Sequence, residues 1–133
     1  VIATRDTHTE NYMDTSEGKH LPVPHCILNT KGWEIREDIA AALEKAGAEI
    51  LNKPTFGSVD LAAKILKLAE KEELEIELVG LCTDICVVSN ALIIKATFPD
   101  ANVKVDAKCC AGVTVESHEA ALKTMAMCQI DIV

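Results

Sequence analysis

No apolar run in this chain approaches the roughly 20 residues that a membrane-spanning helix needs, so the sequence implies no membrane partner. A basic patch is missing too. The 13 basic residues are outnumbered by 21 acidic ones, for a net charge of −8. They scatter among acids, as in Glu70-Lys71-Glu72-Glu73. Neutralising nucleic-acid phosphates takes clustered Lys and Arg, which excludes a nucleic-acid partner. There is no CxxC pair. The six cysteines (Cys26, Cys82, Cys86, Cys109, Cys110 and Cys128) stand mostly in apolar or small-residue runs, and reduced thiols in a cytoplasmic protein are expected. The opening Val1-Ile2-Ala3-Thr4 lacks a basic segment followed by a long apolar one, so no signal peptide is expected. It reads as a strand already under way without an initiator Met, and further residues are expected ahead of it. Aromatics number only four.

What is present is a dense apolar content of 49% in 133 residues, enough for one domain and too little for two. Strand-like runs alternate with helix-period segments. Strands are expected at Val1–Arg5, Ala48–Asn52, Ile76–Leu81, Val103–Cys109 and Ile130–Val133. Ile35, Ile39, Leu43 and Ala46 form one helix stripe ended by Gly47. Ser58 can cap a second helix with Ala62, Ile65, Leu66 and Ala69 inward and Lys64, Lys67 and Lys71 outward. The helix Ile85–Thr97 is apolar enough to be largely buried. Thr114 starts a last helix running to Met127. This alternation implies an α/β fold, a three-layer α/β/α arrangement around a mainly parallel sheet. The intervening stretch Thr7–Lys31 reads as one long polar loop, and loops of that length are usually functional.

Ligands of open parallel sheets sit beyond the carboxyl ends of the strands. Three segments fall there, and their convergence on one cavity is expected. In Gly80–Val87 a strand, a tight turn and a helix start follow one another. Thr83 or Asp84 can cap the helix, which puts Cys86 in its first turn, where the dipole and backbone N–H groups favour a thiolate and an oxyanion. Lys53 follows a buried strand and precedes Pro54, a place from which it can stabilise developing negative charge. Phe56 in the same loop can stack on a flat ring or cover the core. Asp6 and His8, two apart on an extended segment, share a side. Glu17 and His25 can close a metal site with them, with Glu10, Asp14 and His20 as rivals. Two imidazoles with carboxylates suit zinc, iron or manganese better than magnesium or calcium. His118, beside acids, reads as exposed. Cys26, Cys109, Cys110 and Cys128 read as structural, and Trp33 as packing the base of the first helix.

Together Thr4–His8, Pro22–Cys26, Asn52–Ser58 and Gly80–Val87 resemble the nicotinamidase branch of the isochorismatase-like cysteine hydrolases, over essentially the whole chain and in order. The resemblance implies a single isochorismatase-like hydrolase domain over 1–133, incomplete at its N-terminus, with the first strand and helix absent. It implies Cys86 as nucleophile and Lys53 as its cationic partner. The N–H groups of Cys82 and Cys86 would form the oxyanion hole, and a cis peptide is expected at Leu81–Cys82. Phe56 would line the substrate pocket. One divalent metal, zinc ahead of iron or manganese, would be held by Asp6, His8, Glu17 and His25, though Glu17 stands where the family often has a third His. The family's general-base Asp has no match here and is expected upstream of Val1, so residues 1–133 alone are expected to have little activity.

The implied reaction is hydrolysis of nicotinamide to nicotinate and ammonia through a cysteine thioester, a step of NAD salvage, in a chain that can also assemble as a homo-oligomer. The alternatives are a sister cysteine hydrolase acting on another amide or carbamoyl group, a catalytically inactive chain of this fold used for binding, and a thiol redox protein using Cys82 and Cys86.

Overall fold

Val1-Ile2-Ala3 opens on an extended run, and in the computed structural model, which describes residues 1–70 and 73–133, that run becomes β1 (Ile2–Asp6). The chain divides into two compact units, Val1–Thr55 and Phe56–Val133. In the first, β1 pairs in parallel with β2 (Glu49–Lys53), in a register that sets Asp6 opposite Lys53. The intervening segment is less irregular than a single polar loop. A 3₁₀ turn at Tyr12–Asp14 leads into α1 (Ser16–His20), whose cap Thr15 accepts a hydrogen bond from the Gly18 N–H at 3.0 Å. A helix of five residues is too short to show periodicity, which is why its sequence reads as loop.

The next helix, α2 (Glu37–Lys45), starts two residues after the first member of the apolar stripe. Ile35 stays outside it, because Lys31–Trp33 forms a separate 3₁₀ turn. Gly47 ends it at φ +61°, a left-handed position where glycine carries no Cβ penalty. Trp33, expected at the base of the first helix, is half-buried. Its Nε1 donates to Thr7 Oγ1 at 2.9 Å, and the Arg5 guanidinium lies 3.5 Å over its ring. A flat cation on an aromatic face is attracted by the ring quadrupole.

In the second unit Ser58 caps α3 (Val59–Ala69) by accepting from the Leu61 N–H at 3.1 Å. The buried stripe is Leu61, Ala62 and Ile65; Leu66 is exposed, one position out of phase with the expected face. Lys71, placed outward by sequence, lies outside the described residues. Then come β3 (Glu75–Leu81), a π-turn at Thr83–Val87, α4 (Val88–Thr97), β4 (Asn102–Ala111), α5 (Val115–Met127) and β5 (Asp131–Ile132). The sheet order is β3-β4-β5, all parallel. Val103 and Val105 on β4 are buried against α4 and α5, which bury Ala91, Ile94, Ala121 and Met125. Each large apolar side chain so enclosed contributes about 1.5–3 kcal/mol. Parallel strands joined by helices in both units make this the α/β fold expected from the sequence. Among the described residues no helix is long and apolar enough to cross a membrane.

The cysteines depart from expectation. Cys109 and Cys128 are exposed, and Cys26 and Cys110 only half-buried, so none of these four is a core side chain. None of the six is in a disulfide.

Candidate functional site

At the carboxyl end of β1 the two-residue period carries Asp6 and His8 to one side. Backbone bonds extend this strand: the His8 N–H donates to Cys26 O at 2.9 Å and the Leu28 N–H to His8 O at 2.8 Å. They pin the His25 loop beside it. Glu17 arrives from α1. His8 Nε2 lies 3.3 Å from Asp6 Oδ2 and 3.5 Å from Glu17 Oε1. His25 Nε2 lies 3.6 Å and 3.5 Å from the same two oxygens. One donor atom from each of the four residues falls within 4.8 Å of the others.

Two details suit this cluster to a cation. His25 Nδ1–H donates to Val23 O at 2.9 Å, which leaves the Nε2 lone pair aimed at the cluster. His8 is buried, and its Nε2 has no hydrogen-bond partner, nor has Asp6 Oδ1. A buried polar atom left so costs about 1–3 kcal/mol, a cost a bound cation removes. Two imidazole nitrogens and two carboxylates fit zinc, iron or manganese. The rivals stand apart: Glu10, Asp14 and His20 are all exposed and outside the cluster.

Tyr12 was not singled out by sequence. Its ring is 1% exposed and lies edge-on to both imidazoles, with centroids 4.8 Å from His8 and 5.1 Å from His25. Its hydroxyl donates to Leu21 O at 2.8 Å. Burial, with the charges of Glu17 and Asp6, pushes its phenol above the usual range. Lys53, 3% exposed, completes this side: Nζ stands 3.6 Å from Asp6 Oδ1 and donates to Thr55 O at 3.0 Å.

In the second unit the peptide Leu81–Cys82 is cis. The turn after it is wound more loosely than an α-helix: the Val87 N–H reaches five residues back to Cys82 O at 3.0 Å. Such π-turns recur at functional sites. Cys86, half-buried, is the turn's fourth residue. Its carbonyl accepts from Asn90 Nδ2 at 2.8 Å. Asn90 also donates to Phe56 O at 3.2 Å and accepts from the Ser58 N–H at 2.9 Å. Phe56 itself is 42% exposed. Burial, then the charges of Asp84 and Cys86, raises the Cys82 thiol, which keeps that sulfur protonated.

Neither Thr83 nor Asp84 caps the helix as expected, since the turn has no side-chain cap. The Asp84 carboxylate instead accepts from the Val113 N–H at 3.1 Å, and Thr83 Oγ1 pairs with His118 Nδ1 at 2.8 Å. His118 is accordingly half-buried, not exposed. Asn90 had a visible signal, a polar residue inside an apolar helix four places after Cys86; His118 had none, because its partner is 35 residues away.

A family model described as the isochorismatase domain matches residues 1–133. Among solved structures, nicotinamidase/pyrazinamidase from Bacillus subtilis superposes with a TM-score of 0.81 at 27% identity, covering 100% of this chain and 74% of its own. Pyrazinamidase of Pyrococcus horikoshii, solved in complex with zinc, gives a TM-score of 0.72 at 28% identity over 99% of this chain and 73% of its own. The pyrazinamidase/nicotinamidase of Streptococcus mutans, at 21% identity, shares the fold with a TM-score of 0.81 over 99% of this chain and 74% of its own. No curated protein gives a significant match.

Proposed function

This chain belongs to the isochorismatase domain family, and within that family of hydrolases we propose an amidohydrolase that converts nicotinamide to nicotinate and ammonia. The observation that carries the reading is the cluster of Asp6, His8, Glu17 and His25 with its unpartnered buried imidazole nitrogen. Likeness to the nicotinamidase/pyrazinamidase of B. subtilis and to the zinc-bound pyrazinamidase of P. horikoshii supports it. Those four side chains would hold a zinc ion, which would supply a Lewis-acidic anchor for a ring nitrogen. Phe56 supplies an apolar face for the ring.

The chemistry is assigned to Cys86. Its thiolate attacks the amide carbon, and the oxyanion that forms is held by the N–H groups of Cys82 and Cys86. Lys53 stabilises the negative charge on sulfur and oxygen. The thiol proton passes to the family's general-base Asp, for which residues 1–133 hold no match, and goes on to nitrogen as the C–N bond breaks and ammonia leaves. Water then cleaves the thioester, releases the carboxylate and restores the thiol. Cys82, protonated by its burial, is left as a donor of its N–H alone. The setting proposed is cytoplasmic NAD salvage.

The test is ammonia and nicotinate release from nicotinamide by the purified full-length protein. Cys86→Ala is expected to abolish release while zinc content stays at that of the parent. Undiminished release by Cys86→Ala would overturn the assignment.

A further inference from the structure

The turn that carries Cys86 is fastened to the start of α5 at two adjacent residues. Thr83 is 0% exposed, and its hydroxyl stands 2.8 Å from His118 Nδ1. Asp84, next along, accepts from the Val113 N–H at 3.1 and 3.2 Å. The segment between these anchors has no slack. A Cβ on Gly112 would stand 2.9 Å from His118 Cβ and 3.0 Å from its Cα and N, so only glycine lets the β4–α5 connection pass that close. The start of α5 is itself rigid, because Thr114 and Ser117 form a reciprocal capping box.

A π-turn lacks the regular i→i+4 ladder that would set the azimuth of each side chain, so something else must fix where its fourth residue points. A buried hydroxyl bound to an imidazole on a capped helix does this. We infer that His118 is a positioning residue for Cys86, acting through Thr83. The inference rests on the reading of Cys86 as nucleophile. The contact His118 makes is with the Thr83 hydroxyl, so its effect on the sulfur is transmitted through the turn. It holds the turn so that the thiol meets its electrophile in line, and a misplacement of about 1 Å at a reacting atom can cost on the order of 10²-fold.

The experiment compares His118→Ala, His118→Asn, Thr83→Val and Thr83→Ser in the full-length protein. Two readouts are kcat and KM for nicotinamide, and the rate at which iodoacetamide alkylates Cys86, followed on its peptide by mass spectrometry. The alkylation arm needs no turnover. It therefore reads the positioning even if nicotinamide is not the substrate, whereas full turnover by Cys86→Ala would sink the nucleophile assignment separately. His118→Ala and Thr83→Val are each expected to lower kcat and shift the alkylation rate of Cys86, by up to ~10²-fold in kcat, with KM little changed. A double variant that combines His118→Ala with Thr83→Val should be no worse than the worse single one, since both break one contact. Thr83→Ser keeps the hydroxyl, and His118→Asn keeps a polar group near Nδ1, so both should recover most of the loss. Parent-like kcat and Cys86 labelling in His118→Ala, or Thr83→Ser failing as badly as Thr83→Val, would overturn the inference.

Discussion

Asp6 and Lys53 are register partners at the carboxyl ends of β1 and β2, and the Lys53 ammonium stands 3.6 Å from Asp6 Oδ1 while Oδ2 of the same carboxylate faces the two imidazoles. One carboxylate thus has an ammonium on one side and the two imidazoles on the other. In Lys53→Met the methylene bulk of the buried side chain is kept and the charge removed. If Lys53 stabilises negative charge in the reaction, turnover should fall about 10²-fold or more, the scale of losing one electrostatic donor. Zinc stoichiometry, read by plasma emission spectroscopy, should persist, because all four candidate ligands remain. Loss of zinc with loss of turnover would make Lys53 a prop of the metal site and not a participant in the chemistry.

Gly18 supports the cluster from beneath. A Cβ there would overlap the Tyr12 carbonyl oxygen and stand 2.8 Å from its carbon and 2.9 Å from Met13 Cα. All of these are backbone atoms, which cannot step aside as a side-chain tip can. Gly18→Ala must therefore push α1 away from Tyr12 and carry Glu17 with it. Overpacking of this kind destabilises by about 1–3 kcal/mol. The expected outcome is a lower melting temperature together with weaker zinc binding in a calorimetric titration. Parent-like values of both would show that α1 accommodates the methyl group and that Glu17 is not held by this contact.

These details mark where the sequence stops being legible. Asp6 and His8 were readable because a strand has a fixed period of two, and Ser58, Thr114 and Gly47 because caps are local chemistry. Glu17 could not be separated from Glu10 and Asp14 by spacing, since the choice among them is made by α1, and that helix depends on a tertiary contact between Gly18 and Tyr12. Tyr12 itself matters through two rings that approach it from other segments. The cysteines were misjudged for a related reason. Apolar neighbours in sequence suggest burial, yet on β4 the inward positions are Val103 and Val105, and Cys109 falls on the exposed part of the strand. His118 stands among acids in sequence, but Gly112 lets the chain turn it onto Thr83.

Asp84 gives the second unit a defined acid sensitivity. Its carboxyl is held below the usual range, first by the Ser117 hydroxyl and further by the Val113 N–H and the His118 charge, against an opposing push from burial. The unfolded chain, near 3.8, therefore binds a proton at higher pH than the folded one. The stabilisation is complete above that unfolded value and is lost as pH falls through the lower folded one. Asp84→Asn should thus melt below the parent at pH 7, and the gap should begin to narrow below about pH 4 and go on narrowing as pH falls further. A gap that stays constant down to strongly acid pH would mean that the contact stabilises through packing and not through charge.

Asn90 makes the sharpest contrast between two similar substitutions. It is buried, its amide nitrogen donates to the Cys86 and Phe56 carbonyls, and its amide oxygen accepts from the Ser58 N–H. Asn90→Ala leaves three backbone groups without that partner, at about 1–3 kcal/mol for each one that water cannot reach. Asn90→Asp preserves shape and the bond from Ser58. It also turns an acceptor, charged at neutral pH, toward two carbonyl oxygens, which repel it and offer no proton. A buried carboxylate whose second oxygen faces carbonyls instead of donors is driven to protonate, and the protonated acid can donate to one of those carbonyls. Asn90→Asp is therefore expected to be less stable than Asn90→Ala at pH 7.5 and to recover as pH is lowered toward 5, while Asn90→Ala shows no such recovery. Urea denaturation at the two pH values separates these outcomes. Equal stability of the two variants at pH 7.5 would show that the amide nitrogen's two bonds do not hold the Cys86 turn to the segment preceding α3.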